Sequence, residues 1–428
     1  MGTYKRRIAD DLLRDNLEAA GLVLIEGTKW CGKTTTAEQQ ANSTVYMNDP
    51  EHSESYMSLA QNAPKLLLKG AAPRLIDEWQ DAPELWDATR FEIDHRDEKT
   101  GQFIFTGSTV IPQDKREKIK HSGTGRAARF TMRTMSLWES GESNGNLSFQ
   151  DLFKNRADGA YEAAELNIED LAWLICRGGW PAALSMNRKG ALKQSRNYID
   201  AIASTDISEV DGVKRDKDFT LRLLRSYARF QGAPAPISSI YDDLKSNNES
   251  SLTEETISSY ISALKHLFVI EDAPAWNPNL RSRTAIRSSD TRYFVDPSIA
   301  SAAMGVGPDD LINDIKTLGL LFETMCVRDL RVYAEALDGG IYHFRDKNGL
   351  ECDAVMHLRN GSYGLIEIKL GGEKLINEGA ETLLRLADKI DTDKMKAPSF
   401  LMVLTGTGKY AYKRDDGIWI APVGCLKP

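Results

Sequence analysis

The run Gly27-Thr28-Lys29-Trp30-Cys31-Gly32-Lys33-Thr34 fits GxxxxGK[ST] at every required position, the spacing of a phosphate-binding loop. Glycines let main-chain N–H groups wrap around phosphate oxygens. A helix opening at Lys33 would add the positive end of its dipole. In that chemistry Lys33 neutralises the β- and γ-phosphates, and the Thr34 hydroxyl ligates Mg²⁺. The stretch from Gly27 through Thr35 is therefore the candidate contact surface for ATP.

A second half is expected further along. Leu75-Ile76-Asp77-Glu78 is an apolar strand ending in two carboxylates. Asp77 would hold Mg²⁺ and Glu78 would activate the attacking water. Phe103-Ile104-Phe105 runs into Thr106-Gly107-Ser108, where a polar side chain suits a sensor of the γ-phosphate. Ser108 is favoured, with Thr106 the alternative. Residues 113–134 then carry Lys115, Arg116, Lys118, Lys120, Arg126, Arg129 and Arg133. They read either as a solvated loop or as a functional basic patch. Arg126, after Gly123 and Gly125, is the candidate arginine finger, from its own subunit or a neighbour's.

The elements that must position these groups follow from periodicity. Residues 5–20 read as a polar helix, with Ile8, Leu12, Leu13 and Leu17 at helical spacing. Leu22-Val23-Leu24-Ile25, between Gly21 and Gly27, reads as a buried strand. Strands alternating with helices imply a mostly parallel, covered sheet. Ser140–Asn146 has linker composition. Residues 150–275 are mainly helical. Thr253 is a candidate N-cap, followed by Ile257, Tyr260, Ile261 and Leu264 at i, i+3, i+4, i+7 spacing. Phe268-Val269-Ile270 should turn into a strand, giving the order of a winged helix-turn-helix. Residues 317–336 are helical, and the strands beyond them flank a helix near 377–391.

Composition bounds the rest. The 428 residues suffice for two or three domains. The net charge of -8 argues against a protein that merely coats nucleic acid, which would be basic. Any nucleic-acid contact must be a local patch. Lys214, Arg215, Lys217, Arg222, Arg225 and Arg229 form one such region, and Arg281, Arg283, Arg287 and Arg292 another. Five scattered cysteines form no CxxC pair, so zinc and disulfides are not expected and a reducing cytoplasm fits. No apolar run approaches a membrane span.

In its motifs the chain resembles bacterial and archaeal AAA-type ATPases with a C-terminal domain of unknown function related to restriction-endonuclease-like nucleases. GTKWCGKTTT (27–36), LIDEWQDAPELW (75–86), FTGSTV (105–110), SGTGRAARF (122–130) and MSLWES (135–140) carry the resemblance. Tyr4 and Arg7 precede them, and RGGWP (177–181), Thr205-Asp206-Ile207, Tyr293-Phe294-Val295-Asp296 and GLLFE (319–323) continue it. It implies an α/β fold with an AAA-type ATPase domain over residues 1–140, a helical region with a winged-helix-like element over 147–290, and a nuclease-like α/β domain over 291–428. Such ATPases often assemble into rings, so a homo-oligomer is a candidate assembly.

Glu351-Cys352-Asp353 and Glu367-Ile368-Lys369 look like the acidic-acidic-x-lysine core of those nucleases. In LIEIKL (365–370) Glu367 and Lys369 share one strand face. Asp353 and Glu367 would hold Mg²⁺, Lys369 would orient a water, and Glu323 could complete the shell. The plain alternative is a half-exposed strand with a surface ion pair. The resulting expectation is an ATP-hydrolysing protein whose C-terminal half engages DNA. The rivals are an ATP-gated nuclease and a protein–protein switch that never touches nucleic acid.

Overall fold

The computed structural model describes residues 4–111, 119, 121–245, 252–276 and 289–428. Lys115, Arg116, Lys118, Lys120, Arg281, Arg283 and Arg287 lie outside the described residues.

Five strands form the first sheet: β1 (Leu22–Glu26), β2 (Ser43–Tyr46), β3 (Arg74–Asp77), β4 (Phe103–Gly107) and β5 (Ala127–Thr131). Their order is β2-β3-β4-β1-β5, and every pair is parallel. The central position of β1 explains its unbroken apolar run, because both of its faces are covered. Val23 and Ile25 pack with Leu13 and Leu17 of the Ile8–Ala19 helix. Leu22 and Leu24 face Trp86 and Ile93 of the Leu85–His95 helix. A parallel sheet gathers the loops after its strands at one edge. That edge receives Gly27–Gly32 after β1, Glu78 after β3 and Ser108 after β4.

A helical body follows, containing Ile168–Arg177, Arg188–Ala201, Lys217–Arg229, Ile237–Leu244 and Glu254–His266. Thr253 caps the last of these, accepting from the Thr256 N–H at 3.2 Å. Ile257, Ile261 and Leu264 are buried in its core. Among the described residues, the strand pair expected after it is present as two antiparallel bridges, Ile270 with Phe294 and Ala273 with Thr291.

A short strand, β6 (Leu147–Ser148), pairs with Leu426–Lys427. The third body is a seven-stranded sheet in the order β7-β12-β13-β11-β10-β9-β8. Its strands are β7 (Ala160–Glu162), β8 (Gly339–Arg345), β9 (Glu351–Leu358), β10 (Tyr363–Lys369), β11 (Phe400–Thr405), β12 (Tyr410–Lys413) and β13 (Trp419–Pro422). The Glu373–Lys389 helix covers one face through Ala380, Leu383 and Leu386. The Ile315–Ala336 helix covers the other through Leu321, Phe322 and Met325.

The body borders differ from the expected 147–290 and 291–428. β7 belongs to the last sheet through its pairing with β12. The Pro297–Met304 helix packs instead among the middle helices. Three-residue β7 is too short to show a periodicity. The linker-like 140–146 segment is pinned rather than loose. Ser143 Oγ donates to the Leu426 carbonyl at 2.7 Å, and the Asn144 N–H to the Gly424 carbonyl at 2.9 Å.

Candidate functional site

The loop after β1 has the conformation its glycines permit. Gly27 has φ 152°, and a Cβ there would lie 2.1 Å from the Met132 carbonyl oxygen. Gly32, at φ 104°, stands before the Lys33–Glu38 helix. Lys33 is buried and its ammonium donates to the Gly27 and Thr28 carbonyls, both at 2.9 Å. The helix N-terminus and the turned loop together make an anion site.

The acidic pair meets this loop. Thr34 Oγ1 donates to Asp77 Oδ1 at 2.7 Å, and Thr106 Oγ1 donates to the same oxygen at 2.5 Å. Burial pushes the Asp77 carboxyl above its usual range, against the lowering effect of these two hydroxyls. Glu78 follows in the left-handed region at φ 54°, which turns its side chain away from the strand direction. Ser108 Oγ donates to Glu78 Oε2 at 2.9 Å, and the Gln80 amide donates to that oxygen as well. Both sensor candidates thus touch the acidic pair, Thr106 at Asp77 and Ser108 at Glu78. A cleft of about 280 Å³ opens here, with Glu78, Ser108 and Lys29 in its wall.

Thr34 and Asp77 present hard oxygen donors to one point, which fits Mg²⁺ held partly by substrate phosphates. Among the described residues no group of three or more His, Cys, Asp or Glu is placed to hold a metal ion alone.

One expectation is not met by the placement of residues within a single chain. Arg126 precedes β5 at the sheet edge opposite the phosphate loop, where the Leu22 N–H donates to its carbonyl at 3.0 Å. Five strand residues at roughly 3.3 Å each separate it from the loop end of the sheet. Its guanidinium pairs with Asp94 at 2.9 Å. As a finger within its own chain it is therefore misplaced. Arg133 is held by Glu271 at 2.6 Å and Glu335 at 2.5 Å, joining the three bodies.

Other contacts were not visible as site residues. Arg7, 4% exposed, donates to the Cys31 carbonyl in the middle of the loop at 2.8 Å, while its Nε pairs with Glu139. The middle region also grips the loop. Thr28 Oγ1 hydrogen-bonds the Tyr198 hydroxyl, and Lys29 pairs with Asp206 at 2.9 Å. Trp30 lies 5.4 Å from the Tyr198 ring, which in turn packs 4.7 Å from Trp180. Nothing local marks Tyr198. Only the RGGWP and Thr205-Asp206-Ile207 segments hinted at this neighbourhood.

The C-terminal constellation comes together. Asp353 on β9 and Glu367 and Lys369 on β10 meet, with Lys369 Nζ 3.1 Å from Asp353 and 2.6 Å from Glu367. Glu323 joins from the Ile315–Ala336 helix, accepting from the Tyr293 hydroxyl at 2.5 Å. Burial raises both Glu323 and Glu367 well above the usual carboxylate range, and the charge of Asp353 adds to it. The Lys369 ammonium sits where a cation between Asp353 and Glu367 would sit. Gly232 lies against Glu323, where a Cβ would come 2.8 Å from Oε1, so the middle region covers that side.

Three family models match separate parts of the chain. Residues 20–140 match the model of an AAA domain family. Residues 168–310 and 318–426 match two domains of unknown function, DUF8612 and DUF4143. No curated protein matches the chain. Among solved structures, a Walker-type ATPase of Pyrococcus abyssi is 13% identical, covering 70% of this chain and 96% of its own at TM-score 0.43. RuvB of Thermotoga maritima is 14% identical over 62% of this chain and 88% of its own, at TM-score 0.25. The Hef helicase domain of Pyrococcus furiosus is 12% identical over 94% and 89%, at TM-score 0.20. Over residues 20–140 the chain is thus similar to AAA domains, and that stretch carries the phosphate loop and the five-stranded parallel sheet.

Proposed function

We propose that the protein binds and hydrolyses ATP with Mg²⁺, and that its middle and C-terminal regions convert that turnover into work on DNA. One observation carries the ATPase reading: Thr34 of the phosphate loop and Asp77 of β3 meet at 2.7 Å, with Glu78 held beside them by Ser108. Thr34 and Asp77 would hold Mg²⁺, whose charge offsets that of the phosphates. Lys33 and the loop N–H groups bind the triphosphate. With Glu78 Oε2 occupied by Ser108 and Gln80, Oε1 is left to take a proton from water. The water oxygen bonds to the γ-phosphorus as the bond to the bridging oxygen breaks, and ADP leaves with that electron pair.

The DNA part rests on surface charge. Arg222, Arg225 and Arg229 are exposed along the Lys217–Arg229 helix, with Lys214 and Lys217 beside them. The exposed residues of the Glu254–His266 helix are instead Glu254, Glu255, Ser258, Ser259 and Ser262, a poor face for a phosphate backbone. The basic helix is thus the better candidate for phosphate contact. A second reading, an ATP-gated nuclease, is favoured by the convergence of Glu323, Asp353, Glu367 and Lys369.

The test is ATP turnover alone and with single-stranded, duplex and branched DNA. Turnover lost in Lys33→Ala supports the ATPase, and its persistence refutes it. Salt-sensitive stimulation by one DNA form supports the partner. No stimulation by any form favours a protein–protein switch. Mg²⁺-dependent plasmid cleavage that is lost in Lys369→Ala while ATP turnover is retained would establish the nuclease.

A further inference from the structure

We propose that Lys29 is the cation that offsets charge on the transferring γ-phosphoryl group, and that Asp206 of the middle region is the positioning residue that aims it. The inference rests on the ATPase reading above.

Phosphoryl transfer needs positive charge beyond the loop lysine, because negative charge spreads over the transferred group and the leaving oxygen. The basic residues near the site are mostly committed elsewhere. Arg126 stands at the opposite sheet edge, paired with Asp94. The Arg129 guanidinium lies 4.8 Å over the Trp86 ring, and Arg133 is locked between Glu271 and Glu335. Among the described residues lining the cleft with Glu78 and Ser108, Lys29 is the one cation.

Its setting is that of an aimed group. Lysine is a point charge on a flexible stem, so it must be held to act electrostatically. Asp206, with its side chain 11% exposed, holds the Lys29 ammonium at 2.9 Å and lines the same cleft. The residues flanking Lys29 are fixed by the same region: Thr28 by the Tyr198 hydroxyl, and Trp30 against the Tyr198 ring. Asp206 ends a π-helical turn, Ile202–Asp206. Such turns are uncommon and are frequent at functional sites. The middle region therefore completes the nucleotide site rather than merely following it.

The test is steady-state ATP hydrolysis by the full chain, with ADP affinity measured on each variant. Lys29→Met is expected to lower kcat by about 10²-fold. KM for ATP and ADP affinity should stay within about threefold, the pattern of an interaction made only in the transition state. Lys29→Arg should restore much of kcat. Asp206→Asn should lower kcat by about tenfold, and should cause no further loss on top of Lys29→Met, because it acts through Lys29. Unchanged kcat in Lys29→Met, or a loss of ADP affinity as large as the loss in kcat, overturns the catalytic role. An additional loss from Asp206→Asn in the Lys29→Met background overturns the positioning role. Absence of turnover in the unaltered chain refutes the ATPase reading instead.

Discussion

Arg7 Nη1 donates to the Cys31 carbonyl at 2.8 Å, tying the entry of the first helix to the middle of the phosphate loop. The same side chain pairs with Glu139, and their side chains are 4% and 1% exposed. Removing one partner leaves an uncompensated buried charge. Arg7→Ala should therefore cost about 3–5 kcal/mol of stability, read by urea unfolding. Double substitution of Arg7 and Glu139 by apolar residues should recover part of it. Equal losses in single and double variants would refute the pairing.

Thr106 and Ser108 should separate by phenotype. Thr106 touches Asp77, so Thr106→Val should raise the Mg²⁺ concentration needed for half-maximal turnover. Ser108 touches Glu78, so Ser108→Ala should lower kcat by about tenfold and leave the Mg²⁺ dependence in place. A magnesium titration of both variants decides between them. Identical shifts would show that the two hydroxyls share one role.

His343 should make the fold sensitive to acid. It is 6% exposed and neither ring nitrogen has a partner. Burial pushes its pKa down to about 4 from 6.5, aided by Arg345 and opposed by Asp353. Above pH 6.5 both folded and unfolded chains hold it neutral, and its contribution is complete. Between pH 6.5 and about 4 only the unfolded chain takes up the proton, so stability falls as pH drops. The loss reaches about 3 kcal/mol. In His343→Leu the slope of stability against pH over that window should flatten by one proton. An unchanged slope would remove His343 as the cause.

Lys369 should be structural as well as chemical. It lies between Asp353 and Glu367, and Glu367 is 3% exposed. Lys369→Met should destabilise the chain, and more so at high pH, where Glu367 would have to lose its proton without a partner. Adding Glu367→Gln should restore part of that loss. No recovery on double substitution would mean that the lysine acts through packing alone.

The phosphate loop and its acidic partner were legible because each is a short pattern fixed by local chemistry. The strand before Gly27 and the helix after Gly32 could be read from flanking residues alone. Arg126 misled because its glycine-rich surroundings suggest a loop beside phosphate. In a parallel sheet, the residue that enters a strand lies at the edge far from the loops that leave its neighbours. Tyr198 was invisible, and Asp206 stood out only as part of a resembling segment with no role attached, for a different reason. They reach the loop from 170 and 177 residues away, and no periodicity encodes such a pairing. The C-terminal constellation was legible as alternating positions on a strand, whereas its cover by Gly232 and Tyr293 was not.

β7 enters the last sheet before the helical body begins, and the Ile315–Ala336 helix returns to that sheet after it ends. The helical body is thus moored at two ends to a single anchor. The helices and that sheet also share one hydrophobic core, from Leu223 and Tyr227 through Leu330 to Ile366 and Met402, so a displacement of either must be absorbed by the packing of the other.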